Sequence, residues 1–156
     1  MADSRDHMDV LFVCTGNTCR SPMAAAWFQH LCVERGVEHI GIDSTGLATR
    51  PKDSVSTNAR IVLEENGLIP MRLFSQLLTM KMIRRADLIL TMTGAHRELL
   101  VSRYSIAEKK ARPLLSVLGR RGGGDVFDPY GGSVADYRTC LEMMKPALAA
   151  LLDRLQ

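Results

Sequence analysis

The sequence predicts an α/β fold: a single domain with a central four-stranded parallel sheet flanked by helices on both faces. Three observations carry this expectation. Short apolar, β-branched runs alternate with longer helix-forming stretches along the chain, which is the pattern of parallel strands joined by crossover helices. A length of 156 residues with 46% hydrophobic content supplies one core and leaves no room for two full domains. No internal repeat, low-complexity tract or linker interrupts the alternation, so residues 1–156 are read as one domain with a disordered tail at 1–7.

Each element has its own signal. Asp9 to Cys14 (DVLFVC) is an apolar run that breaks at Thr15-Gly16-Asn17, where Gly and Asn tolerate positive φ, and it reads as a buried strand ending in a loop. Ser21 is a good N-cap with Pro22 at the first helical position, and the helix-forming run behind it stops at Gly36. His39 to Ser44 reads as a second strand, and Ser54 to Asn66, ended by Gly67, as a second helix. Ala86 to Met92 gives a third strand, Gly94 to Val101 a helix, and Arg112 to Leu118 a fourth strand. A turn-rich loop from Gly122 to Ser133 leads into a helical pattern over Val134 to Leu155 that contains Pro146.

Composition excludes several classes. With 20 Lys+Arg against 17 Asp+Glu the formal charge is +3, too small and too scattered for a nucleic-acid footprint. The longest apolar stretches fall far short of the roughly 20 residues of a membrane span, and the first residues lack the apolar core of a signal peptide. A soluble cytoplasmic protein, monomeric and without nucleic-acid or membrane partners, is expected. Four cysteines are too few for a disulfide scaffold, and Cys14 and Cys19 share one short loop, which points to thiol chemistry. No paired CxxC or nearby His suggests zinc, so neither metal nor cofactor is expected.

The chemistry concentrates in Cys14-Thr15-Gly16-Asn17-Thr18-Cys19-Arg20-Ser21, between strand and helix. A loop folded over a helix N-terminus turns backbone N–H groups inward, and the helix dipole adds positive potential, so the segment is a cradle for a tetrahedral oxyanion. Arg20 adds a bidentate fork for two of the anion's oxygens. A thiol in that field is favoured as thiolate, which makes Cys14 a nucleophile placed against the bound phosphoryl group. The Ser21 hydroxyl is placed to donate to that thiolate. No GK[ST] follows, so this is not a nucleoside triphosphate loop. Attack on phosphorus needs an acid for the leaving group, and Asp128, stiffened by Pro129 and followed by Tyr130 and Gly131, supplies one from a late loop at the same end of the sheet. Tyr130 is a candidate wall of the cleft, with a face suited to a phenyl ring or a guanidinium, or else a loop anchor packed on the sheet. His96, after the third strand, is placed to approach the crevice, but as a lone His near a helix start it reads more readily as a surface residue.

VLFVCTGNTCRSPMAAA together with DVFDPYGG resembles the low-molecular-weight protein tyrosine phosphatase family, over almost the whole chain. The resemblance implies a flavodoxin-like fold, Cys14 as phosphocysteine nucleophile, Arg20 as phosphate clamp, Asp128 as general acid and base, and Ser21 as the hydroxyl partner of the thiolate. It also implies a left-handed Asn17 tied to residues such as Ser44. One departure stands out: the family's His after the second long helix, part of the Asn and Ser network, falls here on Arg72 or Leu73, so loop rigidity rests on other groups.

The residue before the second cysteine is Thr18, as in the bacterial branch that the resemblance links to protein arginine phosphatases, where tyrosine-specific members carry a bulky aliphatic. A hydroxyl there can bond a guanidinium or position water, and it removes apolar surface from a phenyl ring. The expected activity is therefore hydrolysis of phosphoarginine in phosphorylated proteins, with inorganic phosphate as product, and phosphotyrosine as the alternative. An arsenate reductase, which needs two further close cysteines, and a non-catalytic phosphoresidue-binding module are weaker alternatives. Cys19 is either a partner for a reversible, redox-regulatory disulfide with Cys14 or a small apolar residue behind the loop.

Overall fold

In the computed structural model, which describes residues 7–50, 52–121 and 124–156, the run Met8–Cys14 forms β1 and is fully buried from Val10 onward. Burial on both faces explains why this strand is continuously apolar rather than alternating. It pairs in parallel with β2 (Ile40–Gly46), which sets Phe12 opposite Ser44 and Cys14 opposite Gly46. On its other side it pairs in parallel with β3 (Leu88–Thr91), and β3 with β4 (Ala111–Pro113), giving the order β2-β1-β3-β4. The strand order reverses direction at β1, and in open parallel sheets the crevice beyond such a reversal is where ligands bind.

The period of two along β1 separates two cores. Val10, Phe12 and Cys14 face a cluster with Met23 and Phe28 of α1 (Arg20–Glu34), Leu63 of α2 (Thr57–Glu65) and Met144 of α5 (Val134–Leu155). Leu11 and Val13 face the opposite way, onto Ile83 of α3 (Met80–Arg85) and Leu100 of α4 (Gly94–Arg103). Helices therefore cover both faces, as the alternation predicts. The C-terminal helix begins at a capping box in which the Ser133 side chain accepts from the Asp136 N–H and the Asp136 carboxylate accepts from the Ser133 N–H, and it runs through Pro146.

Two expectations are corrected, and one element is added. The fourth strand is shorter than Arg112 to Leu118: β4 spans Ala111–Pro113, and Leu114–Arg121 forms 3-10 turns interrupted at Gly119, whose φ of 72 is not helical. Leu114, Leu115 and Val117 are all buried, a spacing that fits a helical turn laid on the core rather than a strand with alternating faces. Ser21 is not the N-cap of α1, because the helix starts at Arg20 with Cys19 in the cap position. The short α3 carries no sequence signal, since its MKMIRR sequence is too brief to show a helical period. Residues 1–6 of the expected tail lie outside the described residues, and the ring Nε2 of His7 is 2.9 Å from Asp9 Oδ1. Among the described residues no helix is long and apolar enough to cross a membrane.

Candidate active site

The loop between β1 and α1 is shaped by what holds its outer side. The carbonyl oxygens of Cys14, Thr15 and Thr18 accept from the N–H groups of Leu47, Ala48 and Ser56, at 3.0, 3.0 and 2.9 Å. With those oxygens held from outside, the Asn17 N–H points back at the Cys14 sulfur, the direction an anion cradle requires. Asn17 makes the reversal, at φ 55 and almost fully buried. Its Nδ2 donates to Ser21 Oγ at 2.9 Å and to Ser44 Oγ at 3.0 Å, and its Oδ1 accepts from the Gln76 N–H at 3.0 Å. Cys19, in the cap position of α1, makes no side-chain cap hydrogen bond, so no side chain of that residue occupies the N–H groups of the first turn.

Cys14 Sγ sits among donors. Ser21 Oγ lies 3.0 Å from it, and the Asn17 N–H donates to it at 3.2 Å. Because Ser21 Oγ already accepts from Asn17, its own proton is free for the sulfur. This places Ser21 inside the first helical turn with its hydroxyl on the thiol, a better use of the side chain than the cap expected of it.

Arg20 is held nearly buried, its side chain 7% exposed, with Nη1 donating to the Val126 carbonyl at 3.3 Å and Nη2 lying 3.5 Å from Asp128 Oδ2. The second carboxylate oxygen of Asp128 accepts from the Tyr130 N–H at 3.1 Å, and Pro129 between them is buried. Above the loop opens a cleft of about 1080 Å³, lined by Cys14, Thr15, Gly16, Thr18, Cys19, Arg20, Asp128 and Tyr130 among others. Every expected site residue thus meets in one place, with Asn17 and Ser21 buried behind the lining. Tyr130 is 79% exposed, so it is a free wall of the cleft and not an anchor packed on the sheet.

Two contributors, Gln76 and Tyr137, carry no sequence signal, and a third, His96, carries only a weak one. Gln76 supports the network: its backbone N–H donates to Asn17 Oδ1 at 3.0 Å, and its side-chain Nε2 donates to the Ser44 carbonyl at 2.8 Å and to Asp43 Oδ1 at 3.0 Å. Arg72 instead pairs with Asp43 at 2.8 Å, and Leu73 is exposed. Tyr137 is buried, its hydroxyl accepting from Ser56 Oγ at 3.0 Å and lying 3.2 Å from Cys19 Sγ. Burial, then the Cys19 contact, pushes the Tyr137 phenol up to about 12. Burial also raises the Cys19 thiol. His96 is not a free surface residue: its ring Nε2 is 2.7 Å from Thr15 Oγ1. Burial, with the Arg20 cation second, lowers its pKa. All four cysteines are free thiols.

Residues 9–156 match the low molecular weight phosphotyrosine protein phosphatase family. The chain is 35% identical over 150 residues to a protein-arginine-phosphatase of Bacillus subtilis, covering 96% of this chain and 97% of that one. It is 36% identical over 137 residues to the low molecular weight protein-tyrosine-phosphatase PtpB of Staphylococcus haemolyticus, covering 88% and 92%. Its fold superposes on the YwlE arginine phosphatase of Geobacillus stearothermophilus with a TM-score of 0.86 at 32% identity, covering 96% of this chain and 93% of the other.

Proposed function

Because the chain belongs to the low molecular weight phosphotyrosine protein phosphatase family, a family of cysteine-dependent phosphatases, we propose that it hydrolyses phosphoarginine in phosphorylated proteins, without a metal, through a phosphocysteine intermediate. The observation that carries the chemistry is Cys14 Sγ at the floor of the cleft, between the Ser21 hydroxyl and the Asn17 N–H, with Arg20 and Asp128 3.5 Å apart at its wall.

The phosphoryl group enters the loop, where inward N–H groups and the Arg20 fork hold its oxygens. Substrate anion competes with Asp128 for Arg20, which frees the carboxyl to face the leaving group. Cys14 Sγ attacks phosphorus in line, the S–P bond forms and the P–N bond breaks. The Asp128 carboxyl gives its proton to the departing guanidine nitrogen. The resulting carboxylate then takes a proton from water, whose oxygen attacks phosphorus. The S–P bond breaks, inorganic phosphate leaves, and the returning thiolate is stabilised by Ser21 and Asn17.

Substrate class rests on Thr18, which lines the cleft and offers a hydroxyl where an aliphatic side chain would favour a phenyl ring. Similarity to the protein-arginine-phosphatases of Bacillus subtilis and Geobacillus stearothermophilus, each at 35% identity, supports that reading. A phosphocysteine step is supported by a related arginine phosphatase whose cysteine-to-serine variant carries a phosphorylated active-site serine. Phosphotyrosine is the second reading, favoured by the likeness to PtpB. An arsenate reductase is disfavoured because Cys140 is fully buried, its thiol pushed up to about 12 by that burial.

The test is parallel turnover, with EDTA present, of a phosphoarginine-bearing protein and a phosphotyrosine peptide by wild type and Thr18→Ile. A wild-type preference for phosphoarginine in kcat/KM that shifts toward phosphotyrosine in the variant upholds the proposal. A wild-type preference for phosphotyrosine replaces the substrate, and turnover of neither makes the protein a phosphoresidue-binding module.

A further inference from the structure

The first turn of α4 touches the site at both ends. On one side the His96 ring Nε2 lies 2.7 Å from Oγ1 of Thr15 in the phosphate loop. On the other, two residues earlier in the same turn, the Gly94 N–H donates to Asp125 Oδ1 at 2.9 Å. Asp125 stands three residues before Asp128, and the next residue, Val126, ties the same loop to the end of β3 by donating its N–H to the Met92 carbonyl at 2.9 Å. The turn carrying both contacts is itself fixed, since Thr93 Oγ1 accepts from the His96 N–H at 3.0 Å.

The second observation is a buried ring nitrogen. Among the described residues His96 Nδ1 has no hydrogen-bond partner although it is buried. Such a group costs free energy and calls for a reason. With its proton on Nε2 the ring donates to Thr15 and leaves only a lone pair unpartnered, whereas the other tautomer would bury an N–H with no acceptor, the rarer arrangement. The charged groups facing the ring are Arg20 from α1 and Asp125 and Asp128 from the acid loop, so the imidazole stands between the two halves of the catalytic machinery.

We propose that the first turn of α4 is a bracket that holds the acid loop in register with the phosphate loop, with His96 and Asp125 as its positioning residues. Through Thr15 at one end and Asp125 at the other, the bracket sets where the Asp128 carboxyl stands over Cys14. This rests on Asp128 being the acid, as proposed above. A displaced acid matters in proportion to the basicity of the leaving group, because a good leaving group departs without a proton. A merely structural role for His96 would lower activity on all substrates alike.

The experiment compares kcat/KM on phenyl phosphate, a poor leaving group, and 4-nitrophenyl phosphate, a good one, for wild type, His96→Leu, His96→Gln, Asp125→Ala and Asp125→Asn. His96→Leu and Asp125→Ala are expected to lose about ten-fold on phenyl phosphate and less than about three-fold on 4-nitrophenyl phosphate, a fraction of what a general acid supplies. His96→Gln keeps a side-chain N–H for Thr15, and Asp125→Asn keeps an oxygen for the Gly94 N–H, so both should recover much of the loss. Inhibition by inorganic phosphate should stay near the wild-type value, since the backbone bonds and the Asn17 network that shape the loop involve neither His96 nor Asp125. Equal losses on the two esters, weakened phosphate inhibition, or full activity in Asp125→Ala would each overturn the bracket. Asp128→Asn, measured alongside, separates the two levels: if it shows no leaving-group dependence, the acid role of Asp128 fails and not the bracket alone.

Discussion

Asn17 Oδ1 accepts the backbone N–H of Gln76 at 3.0 Å, across 59 residues of sequence. This bond closes a network in which the Asn17 amide also donates to Ser21 and Ser44, so one buried side chain holds a left-handed backbone turn, orients the hydroxyl beside Cys14 and ties the loop to the segment beyond α2. Rigidity of the phosphate loop is therefore a tertiary property, supplied in part by Ser44 and Gln76 from outside the loop.

Asn17→Ala should expose that dependence. The substitution leaves the Gln76 N–H without its acceptor and puts Ala at φ 55, and the two effects together should cost about 3 kcal/mol of stability. Turnover should fall more than stability alone explains, because Ser21 loses the donor that directs its proton at Cys14. Urea unfolding paired with kcat/KM measures both, and a variant within about 0.5 kcal/mol of wild type, the ordinary range for surface substitutions, would contradict the network.

Gly46→Ala tests the outer support of the same loop. A Cβ at Gly46 would stand 2.7 Å from the Thr15 carbonyl oxygen, closer than packed atoms allow, and a tight 3.1 Å from the Asn17 nitrogen, and both contacts are backbone that cannot swing away. Since Thr15 O is already held by the Ala48 N–H, the loop must shift as a unit. The expected outcome is weaker inhibition by inorganic phosphate and a drop in kcat/KM of about ten-fold or more, of the size that misplacing a preorganised site by an ångström produces. Unchanged phosphate inhibition would show that the loop yields without distortion.

What was legible in the sequence follows a physical line. The β1 run, the loop and the start of α1 are contiguous, and their chemistry is local: an apolar strand, an inward N–H cradle and a cysteine above a helix terminus all lie within Asp9 to Arg20. Asp128 was legible because Asp-Pro followed by Gly stiffens a loop whose end of the sheet is fixed by topology. Gln76 and Tyr137 were not, since each is a lone polar residue whose partner lies on another element, and no spacing within the chain marks that meeting; the place of His96 after β3 allows an approach to the crevice but names no partner. The segment after Pro113 misled for a related reason. Four to eight apolar residues suit a strand or a buried turn equally until their neighbours are known, and here the neighbours reward the 3-10 helix that buries Leu114, Leu115 and Val117.

His96 should carry a pH signature of its own. Burial and then the Arg20 cation depress its pKa below the usual 6.5, while Asp125 and Asp128 act in the opposite direction and less strongly. A histidine depressed in the folded state binds fewer protons there than in the unfolded chain. Its contribution to stability is therefore complete above pH 6.5 and is lost as pH falls from that value through the folded pKa. Unfolding free energy measured against pH should decline less steeply on the acid side in His96→Gln than in wild type, because the variant has no ring to protonate. Saturating inorganic phosphate should raise the midpoint of the His96 ring, followed by NMR, since an anion beside Arg20 offsets the cation that opposes a second positive charge. A midpoint above 6.5 without phosphate, or one indifferent to phosphate, would mean that the ring is not coupled to the arginine that binds the anion.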